Sequence, residues 1–258
     1  MQNRFQELLS AGKAALGAQL RFGSPAIAEL FGHSGFDWII IDAEHAPQSP
    51  DGVQAQLQAI GNTQATPFVR IPKVDEELIR LYLDMGAMGI LAAFVNSAED
   101  AERGARACRY PPRGNRGWGP HRAARYGLIA EEYTREINDR VSFVGIIESA
   151  EAVDNIDSIL AVEGFDSYVI GGIDLSISLG VPFDFEGDIF QQAEQKVLEA
   201  AQRAGKPAGI GVYRDTSKPE TLEHFSSKGY QAIMIGGDEP FLVGGCQRIQ
   251  EIRDELGV

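Results

Sequence analysis

Four carboxylates, one histidine and one arginine stand where this sequence could do chemistry. Asp42, Glu44 and His45 close the run DWIIIDAEH (37–45), Arg70 sits inside TPFVRIP (66–72), Glu148 closes VSFVGIIES (141–149), and Asp174 closes DSYVIGGID (166–174). Two carboxylates such as Glu148 and Asp174 can grip one hard divalent cation, Mg²⁺ or Mn²⁺, with water or substrate oxygens filling the remaining positions. The competing reading makes each a helix N-cap, because Ser149-Ala150-Glu151 and Leu175-Ser176 follow directly. His45, beside Glu44 and near Asp42, has the setting of a general base oriented by a carboxylate; a satisfied core histidine is the plain alternative. Residues two apart on a strand share a face, so Asp42 and Glu44 point one way and His45 the other, unless the chain has already turned at Ala46-Pro47. An unpaired buried guanidinium costs several kcal/mol, so Arg70 must meet either a substrate anion or a carboxylate of its own chain.

Gly171-Gly172, before Ile173-Asp174, brings bare backbone to a strand end, where N–H groups can cradle an anion or simply make a tight turn. IGGDE (235–239) repeats the pattern and suits a small phosphate. The irregular stretch 109–127 holds Arg109, Arg113, Arg116, His121, Arg122 and Arg125 with no acid, which could steer an anionic substrate or line a subunit interface. Other templates fail. GIGVYR (209–214) lacks the last glycine of a dinucleotide fingerprint, and neither a P-loop, a GxSxG elbow nor HExxH is present. Of the lysines Lys13, Lys73, Lys196, Lys206, Lys218 and Lys228, only Lys73 falls at the end of an apolar run, which disfavours imine chemistry.

These residues need a frame that gathers strand ends. Besides the four runs above, ALGAQLRF (15–22), GILAAFV (89–95), PAGIGV (207–212) and QAIMIGGDE (231–239) read as strands. Helical periodicity separates them, as in 75–87, 98–108 and 187–205, and a final helix is expected over 240–256. The alternation predicts one (β/α)8 TIM barrel over residues 1–258, close to the usual ~250 residues, with a doubly wound open sheet as runner-up. A net charge of −14 repels nucleic acid and anionic lipid, so neither is an expected partner. The N-terminus lacks a signal peptide's apolar core, and the best apolar run, GILAAFV, falls far short of the ~18–20 residues of a membrane span. Cys108 and Cys246, the only cysteines, stand far apart; with no disulfide framework, a cytoplasmic location is expected.

Five strings, in order and over nearly the whole chain, carry a resemblance: FDWIIIDAEHAP (36–47), VRIP (69–72), ACRYPPRGNRGWG (107–119), IIESAEAVDNIDSILAVEGFD (146–166) and GGIDLSISLG (171–180). They resemble the HpcH/HpaI family of class II, metal-dependent pyruvate aldolases, barrels of the phosphoenolpyruvate/pyruvate superfamily that include 4-hydroxy-2-oxoheptanedioate and 2-dehydro-3-deoxyglucarate aldolases. The resemblance implies that Glu148 and Asp174 ligate Mg²⁺, Mn²⁺ or Co²⁺. It also implies that Arg70 holds the keto oxygen, that His45 acts with Asp42 as the acid/base dyad, and that Glu44 orders a metal-bound water. Backbone amides at Gly172, Ile173 and Asp174 would take the pyruvate carboxylate. The implied reaction is reversible cleavage of a 4-hydroxy-2-oxo acid to pyruvate or hydroxypyruvate and an aldehyde, through an enolate that the metal stabilises. The implied assembly is a homohexamer, a trimer of dimers that exchange the final helix. Two departures, Gly171-Gly172-Ile173-Asp174 for GPAD and Ala92-Ala93 for V-P, are expected to line the substrate pocket. A CoA-thioester lyase of the citrate lyase β or malyl-CoA lyase type, and a non-catalytic metabolite-binding barrel, are the competing functions.

Overall fold

The computed structural model describes residues 2–212 and 219–257. Helix α1 (Arg4–Ser10) leads into β1 (Ala15–Leu20), followed by α2 (Pro25–His33), β2 (Trp38–Asp42), α3 (Pro50–Ile60), β3 (Thr66–Ile71), α4 (Glu76–Asp84), β4 (Gly89–Ala92) and α5 (Ala98–Ala107). An irregular stretch and α6 (Ala130–Arg140) precede β5 (Ser142–Ile147), the short helices α7 (Ala150–Asp154) and α8 (Ile156–Leu160), and β6 (Ser167–Ile170). The order ends with α9 (Gly172–Ser178), α10 (Asp188–Ala204), β7 (Ala208–Gly211), α11 (Pro219–Ser227), β8 (Tyr230–Gly237) and α12 (Asp238–Leu256). Neighbouring strands pair in parallel and β8 closes on β1, which makes the sheet a barrel and excludes the open alternative. Each expected apolar run coincides with one of these strands, β8 starting one residue before its run, at Tyr230. Tyr213 and Arg214, which end the GIGVYR string, and Lys218 lie outside the described residues.

Helix starts follow side-chain chemistry. Ser24, Ser49, Asp75, Ser97 and Ser149 each accept a first-turn backbone N–H, and Pro25 and Pro50 open their helices where no N–H is needed. Gly205 ends α10 at φ 64°, the left-handed cap that glycine adopts without strain.

Period-two alternation sends one row of each strand into the barrel. At the N-terminal end the rows are apolar: Phe5 of α1 plugs the opening against Trp38 and Phe68, with ring centroids 4.9 Å from each. Gly17 and Gly89 leave the space these rings fill, since a Cβ at either would lie 2.4 Å from Trp38 or 2.2 Å from Phe68. Further along the same rows the residues turn polar. Asp42 follows Trp38 and Ile40, Arg70 follows Phe68, and Glu148 follows Val144 and Ile146; Asp42 and Arg70 are register partners across β2 and β3.

The arginines of 109–127 do not face this polar end. Arg109 pairs with Asp166 just before β6, and Arg116 pairs with Asp84, the last residue of α4, and donates to the Tyr133 hydroxyl. Arg122 donates to the Met85 and Leu57 carbonyls, and Arg113 pairs with Asp139. Residues that precede strands lie at the opposite, N-terminal end of the barrel, so the expectation of steering into this chain's own mouth is corrected: four of the five guanidiniums are tied into local structure. Among the described residues no helix is long and apolar enough to cross a membrane.

Candidate active site

At the C-terminal mouth a cavity of about 320 Å³ is lined by Arg70, Glu148, Asp174 and Gly171–Ile173 on one side, and by Gln19, Arg21, Gly236 and Gly237 on the other. Its floor is apolar, made by Leu91, Ile146, Val169 and Met234. Gly172 and Ile173 line it as expected. Ala92 and Ala93 do not: both are fully buried and absent from its lining, so that departure is corrected from pocket wall to core packing.

The chain has turned after β2. Asp42, fully buried, accepts the backbone N–H groups of Glu44 and His45 on Oδ1, each at 3.1 Å, and this turn brings Glu44 to the same arginine that Asp42 faces. Arg70 Nη1 is 3.8 Å from Asp42 Oδ2, and Arg70 Nε is 2.5 Å from Glu44 Oε2. That closer contact is an ion pair whose atoms are out of line for a hydrogen bond. The imidazole of His45 faces Glu44, with Nε2 3.6 Å from Oε1, while Asp42 meets the backbone of His45.

Glu148 is 2% exposed and accepts the Phe94 N–H on Oε1 at 2.9 Å. Phe94 holds φ 51°, the left-handed region a bulky residue rarely enters, in order to aim that donor. Burial pushes the Glu148 carboxyl up to about 7; the Phe94 N–H and Arg70 oppose the shift, and the charges of Asp174 and Glu44 add to it. Burial also raises Glu44, against the pull of Arg70 and His45. Glu44, Glu148 and Asp174 therefore share one electrostatic neighbourhood around Arg70. Neither Glu148 nor Asp174 caps a helix: Ser149 caps α7 through its hydroxyl, and Gly171 precedes α9 with no side-chain cap. Asp174 thus lies in the first turn of α9, beyond the end of β6.

No group of three or more His, Cys, Asp or Glu side chains is arranged to hold a metal among the described residues. The oxygen donors of Glu148 and Asp174 suit a hard cation whose other positions go to water or substrate. Two features fit such an ion: among the residues that line the cavity the acids Glu148, Asp174 and Asp238 outnumber Arg70 and Arg21, and Gly171 keeps space beside Glu148, where a Cβ would sit 2.9 Å from Oε2. Just beyond the last strand, at the start of α12, the carboxylate of Asp238 accepts the N–H groups of Arg21, Phe22 and Glu239, which places negative charge where the IGGDE string was expected to take a phosphate. Lys73 is exposed, unlike the desolvated lysine that imine chemistry uses.

Sequence reasoning passed over Gln19 and Arg21. Gln19 Nε2 donates to Asp42 Oδ2 at 2.6 Å, and Arg21 Nε donates to the same oxygen at 3.3 Å. The signal was available, because polar residues two apart end the first apolar run just as they end the others.

A closed parallel barrel whose C-terminal mouth gathers carboxylates around a buried arginine is a (β/α)8-barrel enzyme. Its family follows from comparison: residues 20–243 match the HpcH/HpaI aldolase/citrate lyase profile, and the chain belongs to that family as an aldolase. The 4-hydroxy-2-oxovalerate aldolase of Rhodococcus jostii (strain RHA1) is 40% identical over 241 residues, 93% of this chain and 92% of that enzyme. A hydroxypyruvate/pyruvate aldolase of Deinococcus radiodurans is 37% identical over 252 residues, 96% of this chain and 89% of its own. The crystal structure of an HpcH/HpaI aldolase/citrate lyase family protein from Burkholderia cenocepacia J2315 matches with a TM-score of 0.90 at 31% identity, covering 98% of this chain and 100% of that one.

Proposed function

We propose that this aldolase reversibly cleaves a 4-hydroxy-2-oxo acid to pyruvate or hydroxypyruvate and an aldehyde, with Glu148 and Asp174 as ligands of a divalent cation, Mg²⁺, Mn²⁺ or Co²⁺. The observation that carries the reading is that Glu148 and Asp174 line one small cavity together with Arg70, whose guanidinium is paired with Glu44. When bound, the cation supplies Lewis acidity toward the oxygens of the 2-oxo acid.

The chain's own groups do the rest. First-turn N–H groups at Gly172, Ile173 and Asp174, which have no acceptor within α9, seat the donor carboxylate. Arg70 holds the 2-oxo oxygen, where negative charge grows as the C3–C4 bond breaks; a fixed, largely desolvated guanidinium stabilises that charge best. His45, 57% exposed at its side chain and facing Glu44, takes the 4-hydroxyl proton directly or through water. Asp42 sets the turn that carries it, and Glu44 orders a water. The electron pair of the broken bond passes to the 2-oxo oxygen, and protonation at C3 releases the product.

A homo-oligomer, in the hexameric form that exchanges α12, accounts for the exposure of Phe241, Leu242, Val243, Ile249 and Leu256 on that helix. Unpaired Cys108 and Cys246 suit a reducing, cytoplasmic setting. The test is cleavage of 4-hydroxy-2-oxo acids, followed by pyruvate release, with and without EDTA. Turnover that EDTA abolishes and added Mg²⁺ or Mn²⁺ restores is expected; full activity in EDTA would overturn the cation assignment.

A further inference from the structure

Arg21 stands just beyond β1, between β8 and β2, on the wall of the cavity opposite β5 and Glu148. Its guanidinium bridges two carboxylates: Nε donates to Asp42 Oδ2 at 3.3 Å, and Nη1 donates to Glu239 Oε2 at 3.0 Å. Its backbone is clamped as well, because the Asp238 carboxylate at the start of α12 accepts the N–H groups of Arg21 and Phe22 at 2.9–3.0 Å. One end of this bridge is the first turn of α12, and the other is a fully buried acid at the barrel's polar layer.

The two oxygens of Asp42 have different duties. Oδ1 holds the turn that carries Glu44 and His45, whereas Oδ2 receives Gln19, Arg21 and, at 3.8 Å, Arg70. The set of donors on Oδ2 fixes the rotation of the carboxylate, and that rotation fixes where Oδ1 holds the turn. With Arg21 removed, Asp42 Oδ2 keeps Gln19 and loses the donor that ties it to the first turn of α12. The turn at 43–45 then loses its anchor and His45 loses its defined place.

We infer that Arg21 is a positioning residue for the aldehyde half of the reaction, acting through Asp42 on the turn that presents His45. This rests on the aldolase reading above. It makes a separable claim, because Arg21 touches neither Glu148 nor Asp174, and the side of the cavity that takes the 2-oxo acid is held by other residues. The side chain of Arg21 is 43% exposed, and ion pairs that open to solvent contribute little to folding. Its replacement should therefore appear in rates and leave the fold intact.

The experiment compares two reactions of the Mg²⁺-loaded protein. Cleavage of a 4-hydroxy-2-oxo acid needs the proton at the aldehyde oxygen moved. Decarboxylation of oxaloacetate breaks a C–C bond, releases CO₂ and leaves the electron pair on the same 2-oxo unit, with no aldehyde oxygen to serve. Arg21→Ala and Arg21→Met should cleave about 10- to 100-fold more slowly in kcat while decarboxylating within about twofold of wild type, with circular dichroism unchanged. Arg21→Lys, which keeps the charge but can reach only one of the two carboxylates, should recover part of the cleavage rate. Equal losses in both reactions, or wild-type cleavage by Arg21→Met, would overturn the inference while leaving the aldolase reading intact. A wild-type protein that catalyses neither reaction would instead overturn that reading, and this inference with it.

Discussion

Arg70 and Glu44 meet at 2.5 Å across the mouth of the barrel, both nearly buried, yet their facing atoms are misaligned for a hydrogen bond. The carboxylate neutralises the Nε edge of the guanidinium and leaves the terminal nitrogens for an oxygen of the substrate. Truncation by Arg70→Ala should lower kcat by about 10²–10³-fold, the usual loss when one preorganised donor to a developing oxyanion is removed. Arg70→Lys should recover little, because a point charge cannot reproduce the planar fork. Steady-state cleavage assays decide it, and a lysine variant near wild type would remove the special role of the fork.

On the proposed reading, cation binding depends on Glu148 and Asp174. Glu148→Gln and Asp174→Asn keep shape and remove one charge each, so calorimetry with Mn²⁺ should show cation binding weakened by at least ~100-fold and turnover lost in step. The barrel should survive both changes, since its core is the apolar layer beneath. Retained Mn²⁺ affinity in either variant would locate the ion elsewhere.

The raised Glu148 carboxyl gives a pH signature of defined sign. In the metal-free protein the folded state keeps a proton on Glu148 between the ordinary value of 4.5 and about 7, where the unfolded chain has already released it. The resulting stability is fully present below about 4.5 and is lost as pH rises through about 7. Glu148→Gln cannot titrate, so its urea midpoint should fall less than wild type between pH 5 and pH 8. With Glu148 as a ligand, as proposed, a cation would displace the same proton, so affinity should weaken by up to ~10-fold per pH unit below that value. Calorimetry at pH 6 in buffers of different ionisation enthalpy should show proton release; heats independent of buffer would sink this account.

The barrel was legible because eight apolar runs alternate with helical segments, and the site was legible because polar residues interrupt those runs at their ends. What could not be read is geometry over three or four residues. That Asp42 holds the His45 backbone while Glu44 faces its ring depends on a turn that begins at Ala43, immediately after β2. That Asp174 lies in a helix depends on Gly171 serving as an uncapped start. For the arginine-rich stretch the steering reading failed because sequence shows charge without partners. Arg109 and Arg116 find theirs in Asp166, 57 residues ahead, and Asp84, 32 residues behind.

Those distant pairs divide the molecule into an end that reacts and an end that holds. The Arg116 side chain is fully buried against Asp84 and Tyr133, its guanidinium lies 4.7 Å from the Tyr110 ring centroid, and burial raises the Tyr133 hydroxyl above its ordinary range. Arg116→Met leaves a carboxylate unpaired in a largely enclosed place, and should cost about 3 kcal/mol of stability. The kcat of the folded fraction should stay at the wild-type value, because this cluster sits at the far end from the mouth. Urea unfolding together with initial rates tests both halves, and a stable variant with impaired kcat would reverse the division.

Gly171 offers the narrowest test of how the backbone serves the site. An alanine Cβ there would stand 2.9 Å from Glu148 Oε2 and 3.0 Å from Glu148 Cβ and from a methyl of Ile146. Gly171 has φ −84°, an ordinary value for alanine, so the substitution strains no dihedral and acts only through these contacts. Oε2 is the end of a side chain that can rotate, but its other oxygen is fixed on the Phe94 N–H, so the carboxylate can swing only by surrendering that bond. Gly171→Ala should therefore keep its fold and weaken cation binding by about 10–100-fold, the scale seen when the partners of a metal ligand are disturbed. Titration with Mn²⁺, followed by paramagnetic relaxation of water protons, measures it directly. An unchanged affinity would mean that the Glu148 carboxylate does not need the space this glycine leaves.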